Sequence, residues 1–206
     1  RNSSSEFWDL ENPKEKKDHL DRFAGIFLNP LTWKSNAELF HQAIPEAWRS
    51  SDHSDYYLTA HPQWPLELFF DNSSPAIASI SRWVREMCHG MRDFSLQSKD
   101  GFLAIHTIKE LEEYCYYVAG TVGFMLSELF FQYSPLITIK KFEQMKALAN
   151  SFGLGPQITN IVKDIVEDYQ RKTCFVPQEL FAKHGIQLEN FLNPENEEQS
   201  LKIVHE

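Results

Sequence analysis

Apolar residues recur at three- and four-residue spacing along almost the whole chain, and no stretch alternates apolar with polar as a half-buried strand would. That period confines the fold to packed helices. It predicts helices over about Lys14–Leu28, where Leu20, Phe23, Ile26 and Phe27 form the apolar face, and over Lys34–Ala43, Pro62–Asp71 and Pro75–Phe94. Further helices are expected over Ile108–Tyr133, Ile139–Arg171 and Pro177–Lys183. Pro13 suits the opening turn of the first helix. Breaks are expected at Asn29-Pro30, Ser50–Ser54, Asn72–Pro75, Gln97–Gly101 and Ser134-Pro135. Pro156 has no N–H to give the preceding turn, so it should kink or split the long segment around it. Gly185 should end its helix in the left-handed conformation. The tail Asn193–Gln199 reads as an acidic, polar loop leading into a helix that runs to Glu206. The expected fold is all-α, one single-domain helical bundle over residues 1–206.

Bulk properties narrow the partners. An apolar fraction of 42%, with 14% aromatic, belongs to a globular chain, and 206 residues suffice for one well-buried core. A formal charge of -9, with no Lys/Arg cluster, argues against nucleic acid as a partner and against electrostatic docking on an anionic membrane. No run of about 18 apolar residues occurs; the nearest, Val118 to Phe131, is interrupted by Ser127 and Glu128. Cys88, Cys115 and Cys174 show no CxxC spacing and read as reduced, packing thiols of a cytoplasmic-type compartment. His53, His61, His89, His106 and His184 show no zinc spacing, and no Walker loop, Gly-x-Ser-x-Gly elbow or Rossmann fingerprint is present.

Chemistry concentrates in Gln157-Ile158-Thr159-Asn160-Ile161-Val162-Lys163-Asp164-Ile165-Val166-Glu167-Asp168. On a helix Gln157, Asn160, Asp164 and Asp168 share an arc of about 80°. Two carboxylates one turn apart repel, and that cost falls when a cation sits between them. With the amide oxygen of Asn160 they make an all-oxygen partial cage suited to Mg2+, which bridges carboxylates to substrate phosphates. The plain alternative is the solvated face of a surface helix.

The surroundings of this stripe carry a resemblance. The helix, followed by Phe175-Val176-Pro177-Gln178-Glu179, resembles the second aspartate-rich motif of the squalene/phytoene synthase family. Upstream, Tyr114-Cys115-Tyr116-Tyr117-Val118-Ala119-Gly120-Thr121-Val122-Gly123 and Met87-Cys88-His89-Gly90-Met91-Arg92-Asp93-Phe94 resemble two more of its motifs, in the same order. The likeness is nearest to the squalene synthases. It implies a helical bundle of the class I isoprenoid synthase type. It also implies Mg2+ held by Asn160, Asp164 and Asp168, and a diphosphate contacted by Gln157, Lys163 and Arg171, with Arg171 and Lys172 closing as a basic flap. Tyr117 matches a family tyrosine implicated in proton handling and carbocation stabilisation.

The small residues Ala119, Gly120, Gly123 and Ser127 form a stripe that either lets a helix approach closely or leaves room for an apolar ligand. The resemblance implies the second, with Gly120 and Met91 touching a prenyl tail; on the residues alone, close packing is the stronger reading.

Two departures stand out. The family commonly carries an arginine where this chain has Thr173. Its first aspartate-rich motif should precede the Lys14–Leu28 helix, yet Ser4 and Trp8 occupy the two aspartate positions, and a slip of one residue recovers only Asp9. The chain is therefore expected to be a fragment truncated at both ends and to turn over poorly by itself. The resemblance implies head-to-head (1'-1) condensation of two farnesyl diphosphates through a cyclopropyl diphosphate to squalene, with NADPH as reductant. Alternatives are phytoene or dehydrosqualene synthesis, or a catalytically inactive relative serving as an interaction module. A cytoplasmic location, with peripheral membrane contact for release of an apolar product, goes with the first reading.

Overall fold

Helix α1 (Pro13–Ile26) starts where Asn12 caps it, the Asn12 side chain accepting from the Lys14 N–H at 2.9 Å, with Pro13 in the first turn. The computed structural model describes residues 12–44, 63–71, 74–98 and 102–206. Expectations that fall on Ser4, Trp8, Asp9, His53, His61 and the Ser50–Ser54 break lie outside the described residues. Around α1 gather α2 (Trp33–Ala43), α3 (Gln63–Phe70) and α4 (Ala76–Ser95). Ile26 of α1 meets Trp33, Ala37 and Phe40 of α2 in one apolar cluster. Leu20 and Ala24 meet Cys88 of α4 in another, with Met91 packed against it. Each such buried aliphatic side chain contributes about 1.5–3 kcal/mol.

The segment expected as one helix from Ile108 to Tyr133 is a continuous rod of three parts: α5 (Ile108–Cys115), a single π-helical stretch (Tyr116–Gly120) and α6 (Thr121–Tyr133). Its antiparallel neighbour α7 (Ile139–Lys163) packs along both α6 and the π stretch, and α4 packs on α6 from another side. Backbone proximity here is extreme. A Cβ at Gly123 would lie 2.3 Å from the Ala149 carbonyl oxygen, and one at Gly153 would lie 2.5 Å from the Ala119 carbonyl carbon. The small-residue stripe is therefore a seam between helices.

Pro156 does not divide α7. The helix continues through it, and Pro156 and Phe152, whose carbonyl loses its partner, both lie on the exposed side of α7. The break comes instead at Asp164 (φ -99°, ψ 9°), before the short α8 (Ile165–Gln170).

Alternation cannot reveal strands of two residues, yet two exist: β1 (Leu103–Ala104) and β2 (Thr173–Cys174) pair in parallel, Leu103 opposite Thr173. Then follow α9 (Gln178–His184), ended by Gly185 at φ 68° as expected, and α10 (Glu197–Val204) after two short 3₁₀ turns. No described helix is long and apolar enough to cross a membrane.

All three cysteines are free and buried. Burial pushes the Cys88 and Cys115 thiols up to about 12, with help from the charges of Asp21 and Glu112 respectively. Burial likewise raises Cys174 to about 11, opposed by a backbone hydrogen bond with Val176. Since the thiolate is the reactive form, Ellman's reagent at pH 8 should label none of the three within minutes on the native chain and all of them in denaturant. Rapid native labelling would contradict this packing.

Candidate functional site

The polar stripe occupies the face of α7 that looks towards the π stretch. Ala149, Gly153 and Ile161, all buried, lie on the same side of the helix as Gln157, Asn160 and Asp164. The register survives the break: the Asp164 N–H donates to the Asn160 carbonyl at 2.9 Å and the Asp168 N–H to the Asp164 carbonyl at 2.8 Å. Asn160, Asp164 and Asp168 thus stand one turn apart in succession, as on an unbroken helix. Gln157 is half-buried and Asn160 exposed.

Asp168 turns furthest inward. Its carboxyl is pushed up to about 6, first by burial and then by the charge of Asp164, against the pull of Arg171. Its charge in turn reaches Tyr114 and Cys174. A half-buried carboxylate beside another is the local signature of a place that gains from a cation. Among the described residues no three His, Cys, Asp or Glu side chains converge to hold a metal. Two carboxylates and an amide suit Mg2+ rather than zinc, because Mg2+ keeps several waters and takes one or two carboxylates plus substrate phosphates.

The basic residues lie at the rim. Lys163 is exposed and pairs with Asp164 at 3.4 Å, while Arg171 pairs with Glu167 at 3.7 Å. Lys172 follows with φ 57°, a left-handed turn uncommon for a residue with a Cβ, and its carbonyl accepts from the Leu103 N–H at 3.0 Å. Thr173, the position where the resemblance implies an arginine, is buried within β2, which would bury an arginine's charge.

Three tyrosines separate in role. Tyr114 is core: its ring stacks on Phe175 at 4.4 Å and meets Phe94 edge-on at 5.5 Å, and burial raises its hydroxyl strongly. Tyr116 donates to Glu86 at 3.4 Å. Tyr117 lies flat over Gly90 of α4, where an added Cβ would sit 1.9 Å from its ring. Burial, then the charges of Glu113, Glu86 and Asp93, raise its hydroxyl, which therefore stays protonated at neutral pH. The spacing of Glu86, Gly90 and Asp93 puts one acid a turn before the glycine and another a turn after it on one face of α4. Sequence reasoning missed that acidic surround, although the helical period contains it.

Gly120 and Met91, the two residues expected to touch a prenyl tail, both lie in packed surroundings. A Cβ at Gly120 would meet the Asn150 side-chain oxygen at 2.6 Å, so the gap is filled by α7, as close packing requires. Met91 is half-buried against the Leu20–Ala24–Cys88 cluster. A surface hollow of about 360 Å³ opens between Ile165 and the last helix, at Leu201 and Val204, and includes none of the stripe's oxygen donors.

A profile described as squalene/phytoene synthase matches residues 65–206, well over half of the chain. The chain belongs to the squalene/phytoene synthase family. Within that family it is similar to a probable squalene synthase of Neurospora crassa, 38% identical over 121 residues, covering 59% of this chain and 25% of the relative. It is also similar to the squalene synthase of Rattus norvegicus, 32% identical over 178 residues, covering 81% of this chain and 39% of the relative. A solved squalene synthase, TcSQS with the ligand BPH1237, superposes with a TM-score of 0.65 at 21% identity, covering 96% of this chain and 60% of that one. The all-α architecture is thus the family's helical fold. The chain spans 25% to 39% of the length of the curated relatives named here.

Proposed function

We propose that this chain carries the second aspartate-rich half of a head-to-head prenyl-diphosphate condensing site, acting on farnesyl diphosphate. The observation that supports it is the succession of Asp164 and Asp168 one turn apart in register with the buried side of α7, with Asp168 half-buried and held up to about 6. Asn160, Asp164 and Asp168 would hold Mg2+, which when bound neutralises a diphosphate leaving group as its charge develops. Gln157, Lys163 and Arg171 then contact diphosphate oxygens. Tyr117, protonated and ringed by Glu86, Glu113 and Asp93, offers an aromatic face beside an acidic surround. That combination favours an allylic cation, and the apolar flanks keep water from it. The second farnesyl group's double bond would attack that cation, and loss of a C1 proton from that second group to the released diphosphate would close the cyclopropane, its own diphosphate staying in place. In the squalene reading NADPH supplies hydride afterwards, and no residue here is assigned to it. Contact with a membrane surface at the cytoplasmic side belongs to the same proposal.

A second reading, an inactive relative serving as an interaction module, is favoured by Ser4 and Trp8 at the first motif's aspartate positions. One experiment separates them. The chain is titrated calorimetrically with farnesyl thiodiphosphate, with and without Mg2+, and then incubated with farnesyl diphosphate with and without NADPH. Mg2+-dependent binding is expected, with at most slow squalene formation when NADPH is present, since one aspartate-rich motif alone neutralises little diphosphate charge. Mg2+-dependent binding that Asp164→Asn and Asp168→Asn abolish supports the condensing site, and binding that both variants leave intact assigns the chain to the inactive relative; no Mg2+-dependent binding sinks the site itself.

A further inference from the structure

We infer that Glu179 is a positioning residue, locking the helix that carries Tyr114 and Tyr117 to the strand that leaves the Asp168 helix; this rests on the diphosphate-site reading above. Helices α5 and α9 meet N-terminus to N-terminus and satisfy each other's free amides. The Glu179 carboxylate accepts from the Ile108 N–H at 2.6 Å, at the first residue of α5. In return the Gln178 N–H donates to the Ile105 carbonyl at 2.9 Å and the Glu179 N–H to the His106 carbonyl at 3.0 Å. His106 Nδ1 lies 2.6 Å from Gln178 Oε1 and donates there. Glu110 completes the joint by accepting from the His106 N–H at 2.6 Å, while Thr107 caps the Glu110 N–H at 3.1 Å.

The joint matters because of what hangs from each side. Upstream, residues 103–105 form the ladder with residues 172–174, the Ile105 N–H reaching the Cys174 carbonyl at 3.1 Å. That ladder begins four residues after Asp168, with only a tight turn between. Downstream, α5 delivers Tyr114, whose ring stacks on Phe175 of the same returning strand, and then Tyr117. Glu179 is the one side chain in the joint whose carboxylate bonds α5 while its own N–H bonds the 105–106 backbone. Without it, α5 keeps its Thr107 cap but loses its side-chain tie to α9, and the Tyr114–Phe175 stack is left to hold the rod to the returning strand at this end. A carboxylate at that helix start also interacts favourably with the helix dipole.

The test compares Glu179→Ala with Glu179→Gln, which keeps an acceptor oxygen. Amide exchange is read by mass spectrometry at a temperature where circular dichroism shows both variants folded. Glu179→Ala should speed exchange about 10-fold at residues 103–105 and 168–174 and leave 13–43 unchanged, and Glu179→Gln should stay within about twofold of the parent. The Kd for farnesyl thiodiphosphate with Mg2+ should weaken about 10-fold in the alanine variant and be restored by glutamine, as loss of an outer supporting contact does elsewhere. Acceleration confined to residues 106–110 and 178–180, or unchanged affinity in folded Glu179→Ala, overturns the proposal. If the parent chain itself fails to bind the analogue, the diphosphate reading is what fails, and the exchange pattern still decides the coupling.

Discussion

Gly153→Ala is expected to destabilise the chain by about 3 kcal/mol, while Gly155→Ala, two residues along the same helix, should stabilise it by about 0.5–1 kcal/mol. The chemistry of the two changes is identical, and alanine's helix propensity favours both. The surroundings decide the sign. A Cβ at Gly153 would stand 2.5 Å from the Ala119 carbonyl carbon and 2.6 Å from the Gly120 nitrogen, backbone atoms that move only if a helix moves. A Cβ at Gly155 meets nothing within 4 Å. Urea unfolding followed by circular dichroism measures both. With whole-domain stabilities of about 5–15 kcal/mol, the first variant should melt well below the parent. Equal midpoints for the two variants would show that α7 does not lie against the π stretch as described.

The second large effect is expected at the carboxylates. Asp168→Asn and Asp164→Asn should each lower Mg2+-dependent binding or turnover of farnesyl diphosphate by about 100-fold or more, as removal of one charge-stabilising group does in other sites. Both should also leave the chain more stable by about 0.5 kcal/mol, because like charges one turn apart repel. Asp168, the more buried of the two, should show the larger gain. Opposite signs for function and stability distinguish a working pair from a solvated helix face. For a mere surface, both substitutions would leave the titration curve with the thiodiphosphate analogue unchanged.

Most helices were legible because their apolar faces repeat over about two turns or more, as Leu20, Phe23 and Ile26 do in α1, with Phe27 just past its end. The oxygen stripe was legible for the same reason, since its spacing alone puts four donors on one arc. What escaped detection was anything shorter than a period or dependent on a neighbour. Two-residue strands at Leu103 and Thr173 carry no alternation to read. Pro156 looked like a break because propensity counts the lost hydrogen bond, and only the fold shows that Pro156 and Phe152 lie on the exposed side of the helix. The glycines could mark a seam or a cavity until Ala149 and Asn150 were seen filling the space. The Pro-Gln-Glu turn was visible as a motif, but its partner amide at Ile108 lies 71 positions away in sequence and could not be guessed from spacing.

The π stretch at Tyr116–Gly120 gives the chain's length a meaning there that its composition does not have. A π turn accommodates one more residue than an α turn, so shortening this stretch by a single position would let the rod relax to ordinary pitch. Four residues of α-helix turn through about the same angle as five of π-helix, so side chains from Thr121 onward would keep their faces and Gly123 would stay on Ala149. The change would fall inside the stretch itself, where Tyr117 lies over Gly90. An added residue has no second bulge to enter and would rotate everything after it by about 100°. An evolving lineage should therefore lose one residue between Cys115 and Thr121 more readily than it gains one.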